Sequence, residues 1–384
     1  MNFRQNQEFD AIVIGGGVIG LGIARELKKN NLERVAVVEK NPVCGAEASS
    51  AAAGILAPQA EADKADDFFH LCRQSRALYP RFAAELLDET NVNIELDQNG
   101  TLYLAFNDSD LAELEHRFKW QQAANLPIEK LNSREILELE SNISPQVLGG
   151  LRFSQDWQTE NRKLVQALNK WQDKFYVLNA PVQNLLNHNE KIIGVETDKG
   201  NFYAPAIIIA AGAWASQLTA RQSPNFVRDF EKIKITPIRG QILSFQTNQK
   251  LFDHTVYSTA GYVVPRRDNR ILVGATVENV GFDCRVTTEG TNSLLKIADE
   301  ISACFQDLVV SDQWSGLRPK SMDAMPLLGE FPPKSGLFWA TGHYRNGILL
   351  APLTAKLIAD KICHNADSPF LEIFNPARFI DNSE

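Results

Sequence analysis

The sequence predicts an α/β protein with a second, α+β domain, and three observations lead to this fold class. Residues 11–38 show an apolar run, a glycine-rich turn, a helical pattern and a second apolar run. Strand-like runs separated by turn residues fill positions 233–277, and near residue 347 a strand-like run passes through a glycine-rich loop into an apolar helix. The first and third patterns are typical of a Rossmann-like domain, and the second is typical of a mixed, largely antiparallel sheet.

The N-terminal segment predicts a strand, a helix and a strand. Ala11–Ile14 is a β-branched run, and it is followed by the glycine turn at 15–17. Ile19–Asn30 has the apolar spacing of a helix, and Val35–Val38 is again apolar and strand-sized. A change of period from two to 3.6 and back is what a βαβ unit requires.

Residues 63–174 are predicted to hold four helices and a hairpin. The helices are Asp63–Thr90, Leu111–Asn125, Ser133–Leu139 and Lys163–Lys174. Pro80 is expected to kink or split the first helix, because proline lacks the N–H that the helix needs, and Ser133 is a candidate N-cap. Alternating residues at 93–106 surround Asn99-Gly100, a pair that favours a hairpin turn.

The remaining elements predict a nucleotide-binding domain assembled from distant segments. Strands are expected at Ile207–Ala210 and Gly336–Thr341, and helices at Leu294–Phe305 and Ile348–Ile362, where Pro352 is tolerated near the first turn. We therefore predict one discontinuous domain at 1–85, 145–220 and 315–384. A substrate domain is predicted at 86–144 and 221–314.

Composition narrows the class of function. A formal charge of −8 without a dense basic run argues against nucleic acid or an anionic membrane as partner. The five cysteines are scattered and form no C-x-x-C pair, which predicts neither a metal site nor a disulfide framework. No apolar run reaches the length of a spanning helix. These observations favour a cytoplasmic protein with a small-molecule ligand.

Gly15, Gly17 and Gly20 satisfy the G-x-G-x-x-G spacing between the first strand and helix. In this motif the glycines allow a tight turn, a close approach of a pyrophosphate, and contact between helix and strand. Glu39 ends the second strand, where a carboxylate can accept hydrogen bonds from a ribose. The spacing predicts dinucleotide binding; the alternative is a glycine-rich turn in an ordinary α/β domain.

Two further segments are candidates for cofactor contact. In 48–58 small side chains surround Ser49 and Ser50, whose hydroxyls can bond phosphate oxygens, although an alanine-rich helix start capped by serine explains the same residues. In 336–352 a strand and a glycine-hinged loop precede a helix. That helix N-terminus can stabilise a negative charge on a ligand, or merely begin a structural helix.

An anion anchor for a substrate is expected from arginine. Arg318 lies in a loop punctuated by glycine and proline, and Arg345 lies in the glycine-hinged loop. A guanidinium binds a carboxylate through two parallel hydrogen bonds, and Tyr262 can add a phenolic donor. The alternative is that both arginines are solvated surface charges. His254 and His343 are interpreted as structural histidines.

Several sequence blocks together resemble the D-amino-acid oxidase superfamily of FAD-dependent oxidoreductases, and most closely the glycine oxidases of thiamin biosynthesis. The blocks are 50–58 with Glu61, 262–266, 271–276, 316–319 and 342–352. They occur in order along nearly the whole chain. The resemblance implies a Rossmann-like FAD domain and a substrate domain with a mixed sheet.

Together with the glycine motif, the resemblance implies a set of ligand contacts. Substrate carboxylate contacts are expected at Arg318, Tyr262 and Arg345. FAD contacts are expected at Gly15, Gly17, Val18, Ile19, Gly20, Glu39, Lys40, Ser49, Ser50, Ala53, Gly54, Ile55, Val182, His343, Tyr344, Arg345, Asn346, Gly347, Ile348 and Leu349. Because no cysteine falls within 343–352, we expect FAD to be bound non-covalently.

The activity that the resemblance implies is oxidation of glycine, sarcosine or small D-amino acids by FAD, with O2 as acceptor. Its implied partners are a thiazole synthase that receives the product and further copies of this chain in a tetramer. Three rivals stay open at this point. They are a D-amino-acid dehydrogenase with another electron acceptor, a modifier of a macromolecular amine, and a non-catalytic FAD-binding subunit.

Overall fold

The computed structural model describes residues 8–189, 191–218 and 232–380. Its strands are β1 Ala11–Ile14, β2 Val35–Glu39, β3 Ile55–Leu56, β4 Thr101–Ala105, β5 Glu129–Asn132, β6 Gly149–Phe153, β7 Trp157–Gln158, β8 Tyr176–Asn179, β9 Val182–His188, β10 Lys191–Thr197, β11 Gly200–Tyr203, β12 Ala206–Ile209, β13 Ile235–Gln246, β14 Thr255–Tyr257, β15 Tyr262–Pro265, β16 Arg270–Gly274, β17 Val310–Ser321, β18 Leu327–Glu330 and β19 Leu337–Thr341.

The α-helices are α1 Val18–Lys29, α2 Ala48–Ala51, α3 Pro58–Glu61, α4 Asp67–Thr90, α5 Asp108–Ala123, α6 Ser133–Leu139, α7 Asn161–Asn169, α8 Thr288–Ile301, α9 Gly347–His364 and α10 Pro369–Ile373. Short 3-10 helices occupy Lys170–Lys174, Gly212–Gln217, Ala303–Asp307 and Pro376–Phe379.

A six-stranded sheet gathers strands from both ends and the middle of the described chain. Its order is β18-β19-β12-β1-β2-β8, and every pairing is parallel except that between β18 and β19. Helices α1, α4, α7 and α9 contribute to the core on one face, while the three-stranded sheet β11-β10-β9 contributes to the core on the other. The predicted Rossmann-like fold is confirmed.

An eight-stranded sheet forms the second architectural unit. Its order is β17-β13-β16-β15-β14-β4-β6-β5. Only β4 and β14 pair in parallel, so the sheet is mixed and largely antiparallel, as the sequence predicts. Leu294, Ala298 and Ile301 of α8 join the core on one face, and Ala57, Tyr257 and Tyr262 belong to a separate core cluster beside the cavity described below.

The hairpin predicted at 93–106 is wrong. Asn99 donates its N–H to the Asp97 side chain and Gly100 has a φ of 100°, so the chain does turn at this point. The two arms nevertheless part, because Asp97 bridges to Gln158 and β4 pairs with β6 and β14. All five residues of β4 are buried, and a central strand takes partners on both edges.

Prolines sit inside two long helices that pack on each other. Pro80 neither ends nor splits α4. Pro352 in α9 lacks the N–H that would bond the carbonyl of Ile348 one turn earlier. The buried Tyr79 hydroxyl of α4 replaces this donor at 2.5 Å from that carbonyl oxygen. The contact satisfies an otherwise orphaned backbone group and fixes α9 against α4.

The N-cap predicted for α6 is shifted by one residue. Asn132 is the cap: its side chain accepts from the Glu135 N–H, while Glu135 accepts from the Asn132 N–H. The Ser133 hydroxyl instead donates to the carbonyl of Val147 at 2.6 Å. This reciprocal capping box satisfies two backbone donors at once, which a serine one position later cannot do.

The domain division stays a prediction, and two strands bear on its boundaries. Strand β6 (149–153) hydrogen-bonds within the eight-stranded sheet, although the predicted boundaries assign it to the nucleotide-binding domain. Strand β17 spans the predicted boundary at 314/315 as one continuous element. The boundary at 220/221 lies outside the described residues.

Candidate active site

A cavity of about 680 Å³ runs from the turn after β1 to the eight-stranded sheet. It is bordered by the N-termini of α1 and α9, the segment 47–63 and residues of β13, β14, β15 and β17. The predicted residues that line it are Gly15, Gly17, Val18, Ile19, Glu39, Lys40, Ser49, Ala53, Gly54, Ile55, Val182, Tyr262, Arg318, His343, Tyr344, Arg345, Asn346, Gly347 and Ile348. The structure thus places the glycine-rich motif near the N-terminus and the loop at 343–348 around the same cavity.

Three predicted contact residues lie outside this lining. A side chain at Gly20 would lie 1.9 Å from the carbonyl oxygen of Gly15, so Gly20 serves the contact between helix and strand. The Ser50 hydroxyl donates to the carbonyl of Gly45 and does not face the cavity. Leu349 is 1% exposed and belongs to the core, with its carbonyl accepting from Ser75.

The N-terminus of α1 is suited to an anion. Gly17, its N-cap, has no side chain, and the first turn contains no acidic residue. The backbone N–H groups of that turn therefore keep their partial positive charge toward the cavity. Ser49 extends this site, because its Oγ accepts from the Val18 N–H at 3.0 Å and its own proton stays available to a ligand.

The carboxylate of Glu39 is held in place by two backbone donors. Its carboxylate oxygens accept from the N–H groups of Gly16 at 2.7 Å and Asn41 at 2.8 Å. Each oxygen keeps a lone pair for a further donor, such as a ribose hydroxyl. Lys40 pairs with Glu47 at 2.9 Å, and its Nζ lies 3.3 Å from the centre of the Trp214 ring. Trp214 and Glu47 are lining residues that sequence reasoning missed.

The small-residue segment 48–55 is held in place by buried polar side chains. Asn161 donates to the carbonyls of Ser49 and Ser50, and Arg266 donates to the carbonyl of Ala53 at 2.7 Å. Gly54 has a φ of 68°, and a Cβ there would lie 2.0 Å from the Thr159 carbonyl oxygen. Sequence reasoning missed the roles of Asn161 and Arg266, because neither lies near the segment in sequence.

The loop before α9 joins the two ends of the cavity. The Tyr344 N–H donates to the carbonyl of Pro319 at 2.9 Å, next to Arg318. Asn346, the N-cap of α9, makes no side-chain capping bond, and the first turn has no acidic residue. This second helix N-terminus therefore also presents partial positive charge toward the cavity.

Both histidines singled out from the sequence have hydrogen-bonded partners. His343 is buried, its Nε2 lies 3.1 Å from the Thr354 hydroxyl, and desolvation lowers its pKa to about 3. The ring is therefore neutral at physiological pH and offers no cationic acid. His254 lies 2.7 Å from Glu140 and does not line the cavity.

Arg318 is a cation without a carboxylate partner among the described residues. Its Nη1 donates to the carbonyl of Thr276 at 2.9 Å. The guanidinium lies over Gly240, where a Cβ would come within 2.1 Å of Nη2. The Thr276 hydroxyl donates to Glu278, which also pairs with Arg239. This network fixes the carbonyl that orients Arg318 and leaves its charge available to a ligand.

Arg345, in contrast, already has a carboxylate partner. Its Nη2 lies 2.9 Å from Glu61 Oε1, and the charge of Glu61 is the main cause that raises the pKa of Arg345. The buried Tyr257 hydroxyl donates to the same oxygen at 2.8 Å. Sequence reasoning missed Tyr257. Its ring centre lies 5.6 Å from that of Tyr262, whose pKa is raised mainly by burial, so that the phenol stays protonated as a donor.

The residues present fit an FAD molecule. One helix N-terminus and Ser49 suit the pyrophosphate, Glu39 suits the adenosine ribose, and the α9 N-terminus lies toward the other end of the cavity. Among the described residues no cluster of metal-binding side chains occurs. None of the helices described is both long and apolar enough to cross a membrane.

Comparison with known proteins agrees with this geometry. The glycine oxidase of Geobacillus kaustophilus is 35% identical over 365 residues, which are 92% of this chain and 93% of that protein. The bifunctional protein ThiO/ThiG of Trichormus variabilis is 34% identical over 96% of this chain, which spans 55% of that longer protein. The crystal structure of glycine oxidase from Geobacillus kaustophilus superposes with a TM-score of 0.89 at 33% identity, covering 98% of this chain and all of that one.

A family described as DAO, FAD dependent oxidoreductase, matches residues 10–361. The match begins one residue before β1 and ends within α9, so it contains every segment that borders the cavity. The chain therefore belongs to the DAO family of FAD-dependent oxidoreductases.

Proposed function

We propose that this protein oxidises glycine, and with it sarcosine and small D-amino acids, with O2 as final acceptor. For glycine the overall reaction consumes O2 and water and yields glyoxylate, ammonia and hydrogen peroxide. The names of the relatives support the amino acid class. The observation that carries the proposal is Arg318, a guanidinium that lines the cavity with no carboxylate partner among the described residues.

Arg318 and Tyr262 bind the substrate carboxylate in this proposal. The guanidinium offers N–H groups beyond the one that Thr276 accepts, and the protonated phenol of Tyr262 adds a donor. Two fixed donors hold the substrate in one orientation, which supplies much of the rate without a side-chain general base. His343 does not serve as a base, because its ring is buried and bonded to Thr354.

FAD is held non-covalently by the predicted contact residues that line the cavity, and no cysteine of the described chain is among them. When bound, FAD would supply two-electron chemistry, in which the hydride of the substrate α-carbon is taken up and the two electrons are then returned to O2. The helix N-termini of α1 and α9 and the carboxylate of Glu39 fix its position. In this proposal the FAD site is built mainly on the six-stranded sheet and the substrate site on the eight-stranded sheet.

The product is proposed to serve thiazole formation for thiamin. The relatives named ThiO/ThiG join a segment similar to this chain to a second protein in one polypeptide, which supports a functional link. A transient transfer of the imine to a thiazole synthase is part of the same proposal. The homotetramer implied by the resemblance stays a prediction.

Substitution of Arg318 tests the proposed substrate contact. We expect Arg318→Ala to raise the KM for glycine by about 100-fold or more, because one charge-assisted bidentate contact is lost, while FAD stays bound. Arg318→Lys keeps the positive charge but lacks the paired N–H donors of the guanidinium, so its KM for glycine should lie between those of the native protein and Arg318→Ala. Arg134→Ala, at an 87% exposed side chain, is the control. Unchanged kinetics in Arg318→Ala would remove this residue from substrate binding.

Two measurements on the unsubstituted holoenzyme test the reaction itself. Glycine added without oxygen should bleach the visible absorption of the flavin, which a passive FAD-binding subunit would not show. Peroxide should then form on admission of O2 in proportion to the glycine consumed. Reduction of a dye or quinone without oxygen uptake would instead identify a dehydrogenase.

A further inference from the structure

The two guanidinium groups that line the substrate end of the cavity differ in their partners. Arg318 donates to backbone carbonyls, whereas Arg345 forms an ion pair with Glu61. Tyr262 lies close enough to both guanidinium groups and to Glu61 for their charges to affect the pKa of its phenol. A ligand in this space therefore meets one available positive charge and one that is already neutralised.

Glu61 is held in place by its own helix and by its neighbours. The Gln59 and Ala60 N–H groups of α3 donate to the buried carboxyl of Asp156 at 3.1 and 2.7 Å. On the other side, Arg117 donates to the carbonyls of Ala60 and Ala62 at 3.0 and 2.7 Å. These bonds fix the backbone that carries Glu61, and the hydroxyl of Tyr257, which donates to Glu61 Oε1 at 2.8 Å, holds the carboxylate beside Arg345.

A second carboxylate on the substrate would therefore be disfavoured. If it approached Arg345, it would meet the Glu61 carboxylate within hydrogen-bonding distance of the same guanidinium, and like charges at such a distance repel. The side chains of Arg345 and Glu61 are 39% and 21% exposed, so solvent weakens this repulsion without removing it.

We propose that Glu61 determines substrate specificity by neutralising Arg345, which restricts the cavity to amino acids with a single carboxylate. The proposal rests on the proposed function, because it assigns Arg318 the substrate carboxylate. Removal of the Glu61 charge leaves Arg345 as a second anion site. The protein then gains affinity for ligands with two carboxylates.

Equilibrium binding tests this without turnover. Acetate, malonate and succinate are titrated into the FAD-loaded protein, and the change in the flavin spectrum gives each dissociation constant. Glu61→Gln keeps the size of the side chain and an acceptor for Tyr257. We expect this variant to improve the affinity for malonate or succinate relative to acetate by at least about tenfold. Glu113→Gln removes a carboxylate outside the cavity, next to Arg117, and should leave the ratio unchanged.

The double variant Glu61→Gln with Arg345→Gln identifies the receiving cation. The gain in dicarboxylate affinity should vanish in it, and a gain that persists would overturn the proposal. An unchanged ratio in Glu61→Gln alone would overturn it as well. If Glu61→Gln does not retain FAD, the single variant Arg345→Gln is measured instead. A tenfold loss of malonate affinity relative to acetate in this variant would show that Arg345 is not neutralised in the native protein and would overturn the proposal. An unchanged ratio of the two affinities supports it.

Turnover provides a second readout. The ratio of kcat/KM for iminodiacetate or D-aspartate to that for glycine should rise at least about tenfold in Glu61→Gln. Failure of the unsubstituted protein to oxidise glycine would refute the proposed function but not the binding result. A normal glycine activity with an unchanged selectivity in Glu61→Gln would refute only the role of Glu61.

Discussion

At the residue scale, the surroundings of a side chain decide what its charge can do. Arg318 and Arg345 line one cavity, but only Arg345 has a carboxylate at 2.9 Å. The difference follows from the placement of Glu61 on α3 and of Thr276 after β16. Two residues of the same type thus acquire different functions from contacts that are distant in sequence.

His343 should make the stability of the protein depend on pH. Its pKa of about 3 in the folded state lies below the value of about 6.5 expected when unfolded. Below pH 6.5 the unfolded chain therefore binds a proton that the folded chain does not, and folding weakens as the pH falls toward 3. Between pH 6.5 and 5.0 this lowers the unfolding free energy by about 1.6 kcal/mol.

Denaturant titrations of the FAD-loaded protein at pH 6.5 and 5.0 measure this effect. His343→Gln should lose less stability over the interval than the native protein, whatever its stability at pH 6.5. His70→Gln, at an exposed position, should behave like the native protein. An equal loss in all three proteins would show that His343 accepts its proton in the folded state.

The sequence predicted those site residues that belong to a local motif, and it did not predict those that tertiary contacts bring to the site. Glu39 follows from the end of a strand at a fixed spacing from the glycines. Tyr257, Asn161 and Arg266 have no such motif, because their partners lie more than 100 residues away. The contact predicted at Ser50 rests on its residue type, which suits a phosphate, whereas its hydroxyl donates to the carbonyl of Gly45.

At the element scale, the contact between α1 and β1 limits the size of residues in the glycine motif. A Cβ at Gly20 would lie 1.9 Å from a backbone oxygen that cannot yield without moving the turn. A Cβ at Gly22 would lie 3.3 Å from the Ala355 side chain of α9, a distance that a small shift relieves. Gly20 therefore tolerates no side chain, although it does not line the cavity.

Two alanine substitutions in α1 test this limit. We expect Gly20→Ala to destabilise the protein by about 3 kcal/mol or more and to weaken FAD binding, because helix and turn must separate. Gly22→Ala should cost less than about 1 kcal/mol, since alanine also favours the helix. Thermal unfolding and FAD titration of both variants measure the difference. Equal effects of the two substitutions would contradict a steric role specific to Gly20.

Helices and strands with a strong period were predicted within a few residues, and the hairpin was not. The bounds of β1 are as predicted and those of α1 and β2 differ by one residue, since each pattern is complete within its own segment. At Asn99-Gly100 the turn is present, but strand pairing depends on partners such as Gln158 and β14. Turn residues predict a change of direction and cannot specify which strands pair afterwards.

At the scale of the whole molecule, the six-stranded sheet joins segments that are far apart in the chain. Strand β12 lies between β1 and β19, so residues 206–209 contact both the N-terminal strand and residues 337–339. Residues beside all three strands line the cavity, among them Gly15, Ala210 and Thr341. The order of these strands was not predictable from local patterns, because parallel neighbours are joined by long connections.

FAD should therefore stabilise the whole fold. At a free FAD concentration 100 times its dissociation constant, mass action adds about 2.7 kcal/mol to the unfolding free energy of the apoprotein. Denaturant unfolding of apoprotein, with and without added FAD, measures this increment. NAD+ at the same concentration should give a smaller increase. Stability that is unaffected by FAD, or raised equally by NAD+, would contradict the assignment of the cavity.

The interleaved strand order also has a consequence for biosynthesis. When translation has just passed β12, the residues of β1, α1 and β2 have already been synthesised, but those of β19 and α9 have not. The nascent chain then exposes an unpaired edge of β12 and half of a nucleotide site. FAD can bind to the complete site only after translation has passed residue 364, where α9 ends. The supply of riboflavin, from which FAD is made, should therefore influence the yield of folded protein and not the start of folding.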